Sequence, residues 1–154
     1  MAGVYIHIPF CKQACHYCNF YFSTTFEKYR SELVAALVQE MKLKSLLFKG
    51  KEVETIYFGG GTPSLLIEEE FRTIFNGLKE SFNIAKVEEV TIEANPDDVT
   101  VENLAIWQSY GINRISLGVQ SFFEDDLEQM NRSHSSKQAH NAIKRIKEAL
   151  SLLK

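Results

Sequence analysis

Cys11, Cys15 and Cys18 are the only cysteines in this 154-residue chain, and all three lie in one stretch, YIHIPFCKQACHYCNFYF, at residues 5–22. An odd number of thiols cannot pair off completely as disulfides. Thiolates at such close spacing bind soft metals, and iron–sulfur clusters are held in this way. Three protein ligands would leave one iron of a four-iron cluster open to a small molecule. A Cys3His zinc site drawing on His16, His7 or His134 is the rival arrangement, and unliganded thiols are the third. His16 adjoins Cys15, which makes joint ligation awkward, and no second C-x2-C knuckle exists. The spacing therefore favours a cluster over zinc.

A second set of residues could hold a small molecule beside such a centre. GGGTPS at 59–64 follows an apolar run, and its consecutive glycines let backbone N–H groups approach a ligand closely. The same stretch could equally be a plain turn, and it lacks the spacing of a phosphate-binding P-loop. Glu93 falls late in a strand expected to be buried on both faces. A charge there costs on the order of several kcal/mol unless a cation neutralises it, either a ligand's or that of Arg114 or Arg132. Gln120 follows the next apolar run and could satisfy strand-end backbone groups. Arg132 could pair with a ligand carboxylate or stay solvated. Tyr17, Phe20, Tyr21 and Phe22 could pack the cysteine loop down or shield a cluster. His7 and His134 read as structural, and Trp107 as core.

These residues need elements to carry them, and the pattern alternates β runs with helical periodicity. Residues 4–8, 53–58, 87–95 and 113–119 read as strands. Phe26, Tyr29, Leu33, Leu37 and Met41 recur at helical spacing behind a Thr24–Glu27 capping box. Phe71, Ile74, Phe75, Leu78 and Phe82 form a second stripe, with Glu68, Glu69 and Glu70 at the end where the helix dipole favours negative charge. Thr100 caps a third helix through Leu104 and Trp107, which Gly111 ends. Ser135 and Gln138 box a fourth, with Ala139, Ala142, Ile143, Ile146 and Leu150 on one stripe. Four β-then-α units in series predict an α/β fold with a parallel sheet and right-handed crossovers. In such sheets sites form at the carboxyl ends of the strands, where the cysteines, the glycines, Glu93 and Gln120 all collect.

Composition sets the outer bounds. The chain is 45% hydrophobic and 24% charged, as in an ordinary globular domain of one unit. A net charge of −3 gives no electrostatic footprint for nucleic acid. No apolar run approaches the length of a membrane span, and the N-terminus lacks a cleavable signal pattern. Clustered, unpaired cysteines suit a reducing cytoplasm.

Five motifs, in order, resemble a known family. The C-x3-C-x2-C loop is similar to the cluster loop of the radical S-adenosylmethionine superfamily. YFGGGTPS, IEANP, RISLGVQSF and the arginine of MNRSH resemble its oxygen-independent coproporphyrinogen III oxidase branch. The resemblance implies that Cys11, Cys15 and Cys18 ligate a 4Fe-4S cluster. It further implies that Tyr5, Tyr17, Gly60, Gly61, Thr62, Glu93, Gln120 and Arg132 form the S-adenosylmethionine pocket. One-electron chemistry follows from it, in which the reduced cluster cleaves the sulfonium to methionine and a 5′-deoxyadenosyl radical.

The resemblance departs at one position: the oxidases carry a fourth cysteine where this chain has Phe20. CNF resembles instead a branch similar in sequence and implied to act as a haem chaperone, leaving the decarboxylating oxidase as the alternative and a zinc-stabilised module as the second. The implied partners are S-adenosylmethionine, haem or a porphyrinogen, an electron-donor protein and a membrane-protein haem acceptor. The family pattern also implies that the chain is the N-terminal part of the domain, four units of a partial (βα)6 TIM-like barrel, with two strands and a C-terminal domain beyond it. The outer edge of the fourth strand is then expected to be exposed, and metal ligation is expected to organise the cysteine loop.

Overall fold

A computed structural model describes the backbone of residues 2–151 and the side chains of residues 2–149. Four strands form one sheet: β1 (Gly3–Ile8), β2 (Thr55–Gly60), β3 (Glu89–Ala94) and β4 (Arg114–Leu117). They lie side by side in sequence order, and all three neighbouring pairs are parallel. The helices between and after them are α1 (Arg30–Lys44), α2 (Glu68–Ser81), α3 (Val101–Ser109), α4 (Glu124–Gln129) and α5 (Ser136–Ser151). The α/β fold with a parallel sheet is as the periodicity predicted. The short helix α4 is not.

Alternation along the strands decides which way the sheet faces. Ile6, Ile8, Ile56, Phe58, Val90, Ile92 and Ala94 are buried, in one core with Phe71, Ile74 and Leu78 of α2 and Leu104 and Trp107 of α3. Tyr5, His7, Arg114 and Ser116, one residue out of phase with that set, are exposed, and Tyr57 and Glu93 are half-buried. A strand's side chains point alternately to opposite faces, so the helices cover one face while the other carries polar and aromatic groups. The strand of Glu93, expected to be buried on both faces, is buried on the helix side and in part on the other, where Thr91 is fully buried and Glu89 and Glu93 are half-buried. In β4 no residue is buried, in keeping with its place at the edge of the sheet.

Local signals are read well at some helix ends and badly at one. Thr100 caps α3, its Oγ1 accepting from the Asn103 N–H at 3.1 Å. Ser135 and Gln138 form the reciprocal box before α5: the Ser135 N–H donates to Oε1 of Gln138 at 2.8 Å, and the Gln138 N–H to Oγ of Ser135 at 3.3 Å. Ala139 and Ala142 of that helix are buried, whereas Leu150 lies outside the residues whose side chains are described. The box expected at Thr24 and Glu27 does not form. A short 3-10 turn, Phe26–Lys28, precedes α1 with no side-chain cap, and Glu27 instead pairs with Arg30 at 3.2 Å.

Arg30 anchors the base of the cysteine loop. It forms a fork on Glu70, Nε to Oε1 at 2.6 Å and Nη2 to Oε2 at 2.9 Å, and also donates to the Leu65 carbonyl. Its guanidinium lies over the rings of Phe10 and Phe26, which stack on each other at 4.6 Å just before Cys11. Glu70 also accepts the orphan N–H of Ile67 at 2.9 Å, at the start of α2. Removing one partner of a buried charge pair leaves the other uncompensated. Glu70→Ala should therefore cost about 3 kcal/mol of stability, read as a lowered urea midpoint with an unchanged slope.

Candidate metal centre and cofactor cleft

Parallel strands all end on one side of the sheet, so the loops that follow them meet there. They enclose a cleft of about 330 Å³. Cys11, Cys15, Cys18 and Tyr17 line it from the loop after β1, Gly60, Gly61 and Thr62 from the end of β2, Glu93 from β3, and Gln120 and Arg132 from beyond β4. Ten of the eleven site residues expected from the sequence thus share one cavity. Tyr5 is not among its lining residues. It lies lower on the open face of the sheet, 57% exposed, stacked on Tyr57 and 3.3 Å from Nδ1 of His7.

The cysteine loop is held by the polypeptide itself. The His16 N–H donates to the Met130 carbonyl at 3.1 Å, and Nδ1 of His16 is 2.8 Å from the Gln129 carbonyl. The Gln13 amide donates to the Asn131 carbonyl at 2.6 Å, while Nδ2 of Asn131 donates to the Ala14 carbonyl at 2.7 Å. Asn131 sits at φ 54°, in the left-handed region that asparagine tolerates better than most residues. Lys12 forms ion pairs with Asp97 and Asp98. Burial works against its charge, but the hydrogen bonds to both carboxylates outweigh this and hold Lys12 above the ordinary lysine value. Asp98 in turn accepts from Ser64 Oγ at 2.7 Å, tying the cysteine loop to the turn after GGGT. Lys12, Gln13 and Asn131 escaped the sequence reading, because their partners lie far away along the chain.

Around the thiols the chemistry is consistent. Burial pushes the Cys11 thiol up, opposed by a 3.5 Å contact with Thr62 Oγ1 and reinforced by the neighbouring Cys18 and Cys15. A Cβ added at Gly61 would come within 2.6 Å of the Phe10 carbonyl and 3.0 Å of Sγ of Cys11, so only glycine allows this approach. Arg132 reaches Sγ of Cys15 at 3.3 Å, the Tyr17 hydroxyl at 3.0 Å, Oδ1 of Asn95 at 2.7 Å and the Gly118 carbonyl at 2.8 Å. Its Nε is buried and unpartnered among the described residues. Glu93 accepts from the Tyr57 hydroxyl at 2.8 Å and the Gly60 N–H at 3.1 Å. Neither Arg114 nor Arg132 is its partner, because Arg114 turns to Glu89 and Thr91. Gln120 adopts φ 63°, a strained conformation for a residue with a Cβ, at the edge of the cleft.

No histidine lines the cleft with the three thiols, so a Cys3His zinc site has no fourth ligand among the described lining residues. Among the described residues, no three His, Cys, Asp or Glu side chains converge to hold one metal ion. Tetrahedral zinc would draw its sulfurs to within about 3.8 Å of each other. Cluster ligands sit on separate irons and stand further apart. Each candidate histidine uses one ring nitrogen within the protein: Nδ1 of His16 with the Gln129 carbonyl, Nδ1 of His7 with Tyr5, and Nε2 of His134 with the Val119 carbonyl at 3.1 Å.

Two tests follow from this geometry. Asn131→Ala loses both the side-chain bond and the tolerance of left-handed backbone, and should raise the alkylation rate of Cys15 several-fold. Asn131→Gly, which keeps the backbone but not the bond, should give an intermediate rate. His134 is buried with Nδ1 unpartnered, and burial, with Arg132 nearby, lowers its pKa. Its neutral form is thus the one that the fold accepts. The stability it contributes is present above the unfolded-state value of about 6.5 and is lost as pH falls below it. His134→Gln should flatten that acid-side slope in denaturation midpoints measured from pH 7.5 down to about 5.

Comparison with known proteins accords with this geometry. The chain is 39% identical over 143 residues to the haem chaperone HemW of Escherichia coli (strain K12), covering 92% of this chain and 38% of that protein. It is 37% identical over 150 residues to HemW of Bacillus subtilis (strain 168), covering 96% and 39%. Among solved structures, the radical SAM enzyme coproporphyrinogen III oxidase (HemN) from Escherichia coli superposes with a TM-score of 0.85 at 29% identity, over 95% of this chain and 34% of that one. The chain therefore spans well under half the length of these relatives. The sequence model of the radical SAM superfamily matches residues 5–152. The chain belongs to the radical SAM superfamily.

Proposed function

We propose that this chain holds a 4Fe-4S cluster on Cys11, Cys15 and Cys18 and seats S-adenosylmethionine beside it, as the N-terminal four units of a longer haem chaperone. One observation carries the reading: three unpaired thiols, Gly60, Gly61, Glu93 and Arg132 share a single cleft at the strand ends. When bound, the cluster supplies one-electron reduction of the sulfonium. The chain's own groups do the rest. Gly60, Gly61 and Thr62 form a floor to the cleft, Glu93 offers a carboxylate to an ammonium, and Arg132 brings a guanidinium to the cleft wall for a carboxylate. Tyr17 covers the cleft with Phe20 and Phe22.

Chaperone is preferred to oxidase at one position. Phe20 lines the cleft, 76% exposed, where the oxidase pattern has a fourth thiol. The curated relatives named haem chaperone also match more closely than the solved oxidase does. On this reading the partners are haem, an electron-donor protein and a membrane-protein haem acceptor, and the location is the cytoplasm. Among the described residues, no helix is long and apolar enough to cross a membrane.

Anaerobic loading with iron and sulfide should give a brown protein with about four irons and four sulfides, and each of Cys11→Ala, Cys15→Ala and Cys18→Ala should lose most of both. Electron paramagnetic resonance of the reduced sample should change on adding S-adenosylmethionine, and respond less in Arg132→Met. A colourless protein with a single zinc sinks the proposal. In the longer protein, haem titration should shift the Soret band without coproporphyrinogen III being consumed. Decarboxylated product would establish the oxidase instead.

A further inference from the structure

We infer that the end of the molecule opposite the cleft carries a docking surface for anionic membrane lipid. Helices that follow parallel strands run back toward the strands' amino ends, so the C-terminus of α1 lies away from the cysteine loop. There the segment MKLKSLLFKGK, residues 41–51, carries four lysines and no acidic residue, although the chain as a whole has net charge −3. Its apolar residues are not hidden: Leu43, Leu46 and Leu47 are 77%, 79% and 68% exposed. They stand at i, i+3 and i+4 across the join of α1 with the 3-10 turn Ser45–Phe48, which places them on one stripe. Phe48 and Met41, in the same segment, face inward and fix the stripe outward.

The lysines frame this stripe. Lys42 and Lys44 meet Glu80 and Glu40 at 3.2 Å and 3.4 Å, but all four side chains are more than half exposed, so solvent screens both pairs. Lys49 and Lys51 make no side-chain ion pair or hydrogen bond among the described residues. Both line a groove of about 440 Å³ with Ser45, Ser81, Asn83 and Glu52, whose carboxylate is paired with Lys86 at 2.8 Å. Gly50, at φ 77°, makes the turn that places them on either side of it. Three adjacent exposed leucines with a surround of lysines match the apolar and anionic layers of a membrane surface. Charge complementarity thus singles out lipid over an acid-neutral protein groove. Docked this way, the cysteine cleft points away from the membrane.

The test is flotation of the 154-residue chain with vesicles of phosphatidylcholine, alone or with about one-third phosphatidylglycerol. Binding is expected only with the anionic lipid and should weaken with salt. Leu46→Glu with Leu47→Glu, and separately Lys49→Glu with Lys51→Glu, should each reduce it at least about tenfold, since each lysine near an anionic surface contributes a few-fold. All four positions are exposed, and unchanged thermal midpoints would exclude misfolding. No anionic-specific binding, or binding that survives both double variants, overturns the inference. So does a concentration-dependent dimer in light scattering that the leucine variant abolishes, which would make the stripe a protein interface.

Discussion

The contact on which the site depends is the docking of the cysteine loop against the turn at Gln129–Arg132. A loop of that length carries backbone groups that must find partners once the cleft buries them. His16, Gln13 and Asn131 supply those partners across more than a hundred residues of sequence. Arg132, held by the same turn, reaches Cys15 and Tyr17 from one side and Asn95 from the other. The loop is thereby placed by protein contacts, in addition to any ordering that metal ligation brings. Its thiols then differ in surroundings: Cys11 is packed against glycine and Thr62, Cys15 lies beside a guanidinium.

The rest of the architecture supports that docking from below. Phe10, immediately before Cys11, is clamped between Phe26 and the Arg30–Glu70 pair. Lys12, immediately after it, is drawn to Asp97 and Asp98 at the end of the third strand. The loop leaves β1 between an apolar anchor and an ionic one. A buried ion pair adds little net stability over an apolar equivalent, but it tolerates few alternatives in geometry. Its role here is placement.

Fold and chemistry meet in the two faces of the sheet. The helix-covered face supplies the core, and the open face carries Tyr5, His7, Tyr57, Glu93, Arg114 and Ser116 without burying them among the described residues. Glu93 solves its own electrostatic problem with a tyrosine hydroxyl and a glycine N–H, both neutral donors. Among the described residues, no cationic side chain bonds to it. Such a group can still receive a ligand's ammonium. The superfamily match over nearly the whole chain gives that arrangement its context.

Composition, periodicity and spacing by themselves determined the parallel α/β order, the stripes of α2 and α5, the caps at Thr100 and Ser135, and the convergence of cysteines, glycines, Glu93 and Gln120 at the strand ends. These are local or topological properties: a period, a cap or a βα alternation is written in neighbouring residues. Only the tertiary structure decided that Glu27 serves Arg30 instead of a capping box, that α4 exists, that Tyr5 stays outside the cleft, and that Glu93 pairs with Tyr57 and Gly60. Each of those outcomes is a competition among partners distant in sequence, settled by which side chain the packed sheet brings within hydrogen-bonding distance. Spacing along the chain names the groups that can react; only packing selects which of them meet.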